Sequence, residues 1–173
     1  VNVLPTFLKK LKFGHWYNTP VDVNTLPITL EVLYFDYAYN YPINANVLPN
    51  SLKTLILGIR YNHPIEICAL PPNLNFLDLG LYFNYAIGIN VLPASLHTLI
   101  LGDSFTQELS PNVLPKALVV LTFGFSYRKI LHEGILPKTL EKLTLGFLYN
   151  QIIGSNVLPP NLKVLIFDYY RNF

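Results

Sequence analysis

Four histidines, one cysteine and ten carboxylates are the residues of this chain that could hold a metal or carry acid–base chemistry. His15, His63, His97 and His132 stand at four different positions of the period described below, so their spacing brings no set of ligands to one point, as a metal site requires. Cys68 would need a neighbouring His or cation to act as a nucleophile. It stands in a column otherwise held by Asn24, Asn46, Asn90, Asn112 and Asn156, and reads as a buried or half-buried substitute. Asp22 and Glu66 share a column two coils apart, roughly 10 Å at strand spacing. That separation superficially suits glycoside hydrolysis, but Asn44 lies between them, and solvated loop charges are the better reading. No Gly-x-Gly-x-x-Gly or phosphate loop occurs. Lys9, Lys10 and Lys12 make a small basic end with Glu31 and Asp36 in the next coil, which does not suit nucleic acid. The pattern argues for a protein that is not an enzyme and needs no metal or cofactor.

The elements that would position these residues follow from composition and periodicity. A chain of 173 residues suits one domain, and 51% apolar with 13% charged residues is enough to bury a core and to exclude disorder. Twelve basic against ten acidic residues leave a charge of +2, too small for a phosphate-binding surface. Fourteen prolines and nine glycines break the apolar runs, so no transmembrane helix is expected. A single cysteine excludes an internal disulfide framework and favours a reducing, cytoplasmic location.

Leu-Pro recurs with its proline at positions 5, 27, 49, 71, 93, 115, 137 and 159, always 22 residues apart. Such self-similarity is the signature of a solenoid. Three residues past each proline stands a leucine (Leu8 to Leu162), six past another (Leu11 to Leu165), and eight past a Phe or Leu (Phe13 to Phe167). The spacing of two between the last two columns is strand periodicity, so each coil carries one short β-strand. A Gly column follows (Gly14, Gly58, Gly80, Gly102, Gly124, Gly146, with Asp36 and Asp168 as replacements), read as a turn with unusual backbone angles. Next come an aromatic column (Tyr17 to Tyr149), an Asn column (Asn18, Asn40, Asn62, Asn84, Asn150) expected to form an amide ladder, and an apolar anchor (Val21 to Ile153). Pro20, Pro42 and Pro64 argue against a helix on this return path. The expectation is a mainly β, right-handed solenoid of eight coils with a parallel sheet and an extended, non-helical convex side.

Invariant columns have structural work, so function is sought on the outward strand positions that change from coil to coil. Tyr34, Ile56, Phe76, Asp78, Ile100 and Thr122 are the candidate partner-binding residues, with Ile56, Phe76 and Ile100 as a contiguous apolar patch of the kind that marks partner surfaces. Strand propensity alone accounts for Val and Ile; Phe76 is the residue it explains least. Secondary candidates follow the turn glycine: Tyr37, Phe125 and Phe147, with His15, Ile59, Leu81 and Tyr169. For these a second core ladder is the preferred reading over a surface site.

The string Leu-Pro-x-x-Leu-x-x-Leu-x-Phe/Leu resembles the leucine-rich repeat, with its Asn placed two positions later. Tyr17-Asn18-Thr19-Pro20-Val21, Tyr39-Asn40-Tyr41-Pro42-Ile43 and Tyr61-Asn62-His63-Pro64-Ile65 resemble the Phe-Asn-x-Pro-Ile signature of FNIP repeats, known from social amoebae and giant viruses. The Pro fades later (Ala86, Glu108, Ile130, Ile152). The resemblance implies a protein-interaction module, in some giant-virus proteins placed behind an F-box that recruits a host ubiquitin ligase. No F-box is visible here. The start at Val1 inside an Asn-Val-Leu-Pro phrase, the stop at Phe173 within the eighth unit and the lack of polar caps lead to the expectation of a single repeat array cut from a longer protein. Recognition of a protein partner is the leading reading. A structural unit stacking end to end through open strand edges is the rival, and carbohydrate on exposed aromatics of the sheet a third.

Overall fold

The computed structural model describes residues 4–169, so the two ends at Val1 and Phe173, on which the fragment reading rests, lie outside it. The run between each Pro-x-x-Leu and the following Gly or Asp forms a strand: β1 (Lys10–Lys12), β2 (Val32–Tyr34), β3 (Thr54–Ile56), β4 (Phe76–Asp78), β5 (Thr98–Ile100), β6 (Val120–Thr122), β7 (Lys142–Gly146) and β8 (Val164–Tyr169). The strands pair in chain order into one parallel sheet. Each pairing is offset by one repeat, so Leu11 faces Leu33, Leu33 faces Leu55, and Leu55 faces Leu77. Among the described residues there is no helix, and therefore none long and apolar enough to cross a membrane.

β-turns close the coils at three corners, with a bend in place of the second turn at Leu81 and Tyr82. In the first, the Pro27 and Pro49 carbonyls accept the N–H of Leu30 and Leu52, each at 3.0 Å. In the second, the carbonyls of Gly58 and Gly102 accept from Tyr61 and Phe105, also at 3.0 Å. In the third, Asp22, Glu66 and Ser110 accept from Thr25, Ala69 and Val113 at 3.1–3.3 Å. The third residue of this last turn is left-handed in every coil, with φ of 63–66° at Asn24, Asn46, Cys68, Asn90, Asn112 and Asn156 and 82° at Gly134. A positive φ there is what a type II turn demands, and Asn and Gly tolerate it best. This explains the Asn-rich column and corrects the reading of Cys68, whose side chain is exposed, not buried or half-buried.

The glycines that end the strands also need a corrected explanation. In that column only Gly80 has a positive φ, 79°. The common cause is space: a Cβ on Gly58, Gly102 or Gly146 would overlap the carbonyl oxygen of Asp36, Gly80 or Gly124 in the preceding coil. Gly14, in the first described coil, has nothing within 4 Å.

Inside, the two invariant leucine columns are fully buried from Leu30 to Leu143. The aromatic column forms a continuous stack, Tyr17, Tyr39, Tyr61, Phe83, Phe105, Tyr127 and Tyr149, with successive rings 6.1–6.3 Å apart and within 15° of parallel. Burial pushes the Tyr61 phenol up to about 12. The Tyr127 hydroxyl is buried with no hydrogen-bond partner among the described residues, so packing, not polarity, sets this column, as Phe83 and Phe105 in it also show.

Ring separations reveal curvature. Neighbouring strands lie ~4.8 Å apart; Phe13 and Phe35, at the strand ends, are 5.1 Å apart, whereas Tyr17 and Tyr39 behind them are 6.2 Å apart. Phe13 and Tyr17 are themselves 3.9 Å apart. This widening corresponds to a splay of ~16° per coil, with the sheet on the inner, concave side.

Two substitutions test this packing. Gly102→Ala should cost about 2 kcal/mol or more through the forced overlap, while Gly154→Ala, where a Cβ would meet only the Val157 side chain at 3.7 Å, should stay within about 0.5 kcal/mol. Equal losses in chemical denaturation would contradict inter-coil contact as the reason for glycine. Cys68→Asn should raise stability by about 0.5–1 kcal/mol, because Asn accepts the left-handed conformation more readily; a lower melting temperature would refute it.

Candidate protein-binding face

The residues at the first and third positions of each short strand point away from the leucine core and line the concave face. Register sets Tyr34, Ile56, Asp78, Ile100 and Thr122 in one row across β2 to β6. Phe76 stands in the row beside it, between Thr54 and Thr98. Tyr34, Ile56, Phe76 and Ile100 are each partly exposed, so the structure brings these four expected residues together as an accessible apolar strip.

Asp78 and Thr122 need correction. They belong to the row but are only 5% and 8% exposed. Asp78 is flanked by Ile56 and Ile100, and its Oδ1 turns down to accept the Gly80 N–H at 3.0 Å. It therefore serves the turn and offers little surface to a partner. Thr122, with Ile100 on one side and the buried Thr144 on the other, is similarly covered.

The residues after the turn glycine are corrected in the opposite direction. Tyr37 and Phe125 are partly exposed and Phe147 is 48% exposed, so this column is a surface ladder and not a second core. His15 stacks on Tyr37 at 4.8 Å, and Phe125 on Phe147 at 5.4 Å. The side chain of Tyr169 lies outside the described residues. Sequence reasoning missed two members of this rim. Trp16 is 76% exposed and meets His15 edge-on, and the Arg60 guanidinium lies 4.9 Å from the centre of the Tyr37 ring. Their signal was present in the next column, where Trp16, Ala38, Arg60, Tyr82 and Ser104 vary as freely as the concave positions do.

Charge on this side gathers towards β1. The Lys10 ammonium stands 5.2 Å from the Tyr34 ring centre, and Lys12 pairs with Asp36 at 3.4 Å. Asp36 is held below the usual carboxylate range, first by the Tyr37 backbone N–H it accepts and then by Lys12. Glu31 lies between Lys53 at 2.8 Å and Lys9 at 3.1 Å, and these partners, Lys53 first, lower its pKa.

The remaining polar candidates are dispersed. His63 binds the Asn40 carbonyl and His97 the Ser95 carbonyl, each through a ring nitrogen. Among the described residues no three His, Cys, Asp or Glu side chains come together as metal ligands would. A further ladder escaped the sequence reading: Thr29, Ser51, Ser95 and Thr139, two residues past the proline, donate to carbonyls of the coil before. What the arrangement offers is an apolar, curved face with a cationic end and an aromatic rim, suited to association.

Comparison with known proteins agrees with this architecture. The FNIP repeat model matches residues 1–37, 17–59, 61–104, 89–126, 105–148 and 149–172. A solved structure from the giant virus CroV, described as that of CroV588, a novel circular LRR protein, is similar over 96% of this chain with 39% identity and a TM-score of 0.82. The chain spans 28% of the length of that protein. No curated protein matches it. Eight strands in a fixed 22-residue register, the Tyr-Asn-x-Pro-Ile phrases and the family match lead to one conclusion: the chain belongs to the FNIP repeat family.

Proposed function

We propose that this array is a non-enzymatic protein-recognition solenoid that engages its partner with the concave sheet face. The observation that carries the reading is that Tyr34, Ile56, Phe76 and Ile100 share one sheet face and are each partly exposed, on strands whose inward residues are fully buried. Large apolar side chains clustered at the centre of a surface are the residues that anchor protein partners. Within a longer protein the face would select the substrate, as the F-box arrangement implied by the family suggests, in the host cytoplasm. The exposed, unpaired Cys68 supports a reducing compartment.

A second reading is a structural one, in which copies of the array associate end to end through strand edges. Open-ended growth with concentration in sedimentation would support this reading, and a concentration-independent monomer would oppose it.

The primary reading is tested by the triple variant Ile56→Lys, Phe76→Glu, Ile100→Lys. It should keep its circular dichroism spectrum and lose at least tenfold in affinity for a partner captured by the wild-type array, about 1.4 kcal/mol. Unchanged affinity with an intact fold would move recognition to the rim of Tyr37, Phe125 and Phe147.

A further inference from the structure

We infer that the return side of the second to fifth coils holds a separate binding site for an acidic oligosaccharide, in a groove lined by Asn40, Asn62, Asn84, Arg60, Tyr82 and Ser104. The amide ladder supplies its donors. Asn40 Oδ1 accepts the backbone N–H of Asn62 at 3.0 Å, Asn62 Oδ1 that of Asn84 at 3.0 Å, and Asn84 Oδ1 that of Thr106 at 2.9 Å. Each carboxamide oxygen is thereby tied to the next coil. The amide orientation is fixed, and the NH2 groups of these three residues have no acceptor among the described residues. One such group recurs per coil.

Two of the backbone carbonyls along the groove are already engaged. The Asn40 carbonyl takes the His63 ring nitrogen at 2.9 Å, and the Asn84 carbonyl takes Gln107 Nε2 at 3.2 Å. A groove whose ladder presents a spare amide donor on each coil favours a ligand that offers acceptors over an extended peptide, which must also place its backbone N–H groups. It matches a ligand whose rim presents oxygen acceptors. The Tyr82 ring, 48% exposed, adds a flat apolar surface in the same groove, against which the C–H face of a sugar ring can pack while its oxygens meet the amides.

Arg60 selects for charge. Its guanidinium lies over the Tyr37 ring, with Nη2 3.4 Å from the Tyr37 hydroxyl, so it is held in place while keeping further N–H donors for a planar carboxylate. No Asp or Glu lines the groove. A single guanidinium among neutral donors suits a sugar acid better than a densely charged polyanion. Repetition of the amides from coil to coil suits an oligomer better than a single sugar.

Calorimetric titration of the chain with trigalacturonic acid tests the assignment, with neutral galactotriose and triglutamate as comparison ligands. Trigalacturonic acid should bind at least about tenfold more tightly than either comparison ligand. Asn62→Asp keeps the oxygen that accepts from Asn84 but replaces the donor with charge. It should melt like the wild type and weaken binding at least tenfold, as should Tyr82→Ala, whereas Tyr82→Phe should bind normally. The concave triple variant should also bind normally, which separates this site from the protein-binding face. Absence of binding at millimolar ligand, equal binding of triglutamate or galactotriose, or indifference to both Asn62→Asp and Tyr82→Ala would overturn the proposal.

Discussion

Each coil passes its backbone hydrogen bonds to the next at a fixed offset, 22 residues at one corner and 23 at another, and this translation governs the rest of the molecule. Before the strand, the carbonyls of Lys9, Glu31 and Lys53 accept from the residues 22 positions later, Glu31, Lys53 and Asn75, each at 2.8 Å. Beyond the turn, the His15, Tyr37 and Ile59 carbonyls accept from Ala38, Arg60 and Tyr82 at 3.0–3.1 Å. An inserted residue would advance one corner relative to the other and leave buried backbone groups unpaired. The uninterrupted period of eight units is the sequence-level trace of that requirement. It also forces like side chains to lie upon like, so every inward column must be a shape that stacks on itself: leucine, a flat ring, or an amide that reaches the next backbone N–H.

Stacking of unequal thickness then curves the array. Rings 6.2 Å apart behind a sheet with ~4.8 Å strand spacing hold the coils open on the return side. The variable strand positions are thus gathered on the inside of an arc. An apolar strip there can meet a rounded partner on several coils at once, which a flat or convex surface cannot do. The same translation makes the outer amides repeat, so one geometric rule creates both a concave apolar face and a separate row of donors.

Most of the architecture was legible because it resides in invariance. The leucine columns, the strand positions, the amide ladder and the absence of a return helix all follow from residue types that recur at one spacing. What was not legible depends on quantities that a column of letters does not carry. Gly58 and Gly102 look like flexible turn residues, and only the approach of the preceding carbonyl shows that they are there for space. Cys68 looks like a buried substitute until the left-handed φ of its turn is seen. Asp78 alternates outward as expected, but its flanking isoleucines and its bond to Gly80 cover it. Phe125 and Phe147 look like core because aromatic ladders usually are; the direction of the chain after the turn places them on the rim. Within the candidate face, the strip of Tyr34, Ile56, Phe76 and Ile100 was readable, whereas Trp16 and Arg60 were signalled only by the variability of their column, and their contacts with Tyr37 come from the stacking of coils.

The central claim is that invariant columns build the coil and partly exposed variable columns are free for recognition. A stability scan of every single substitution, read by resistance to proteolysis, tests this most directly. The account predicts sensitivity that recurs every 22 residues at the leucine, aromatic and close-approach glycine positions, with polar replacements tolerated at Tyr34, Ile56, Phe76 and Ile100. If those four positions proved as intolerant of polar side chains as Leu55 and Leu77, the strip would be part of the folded core, and the assignment of the concave face to partner recognition would be wrong.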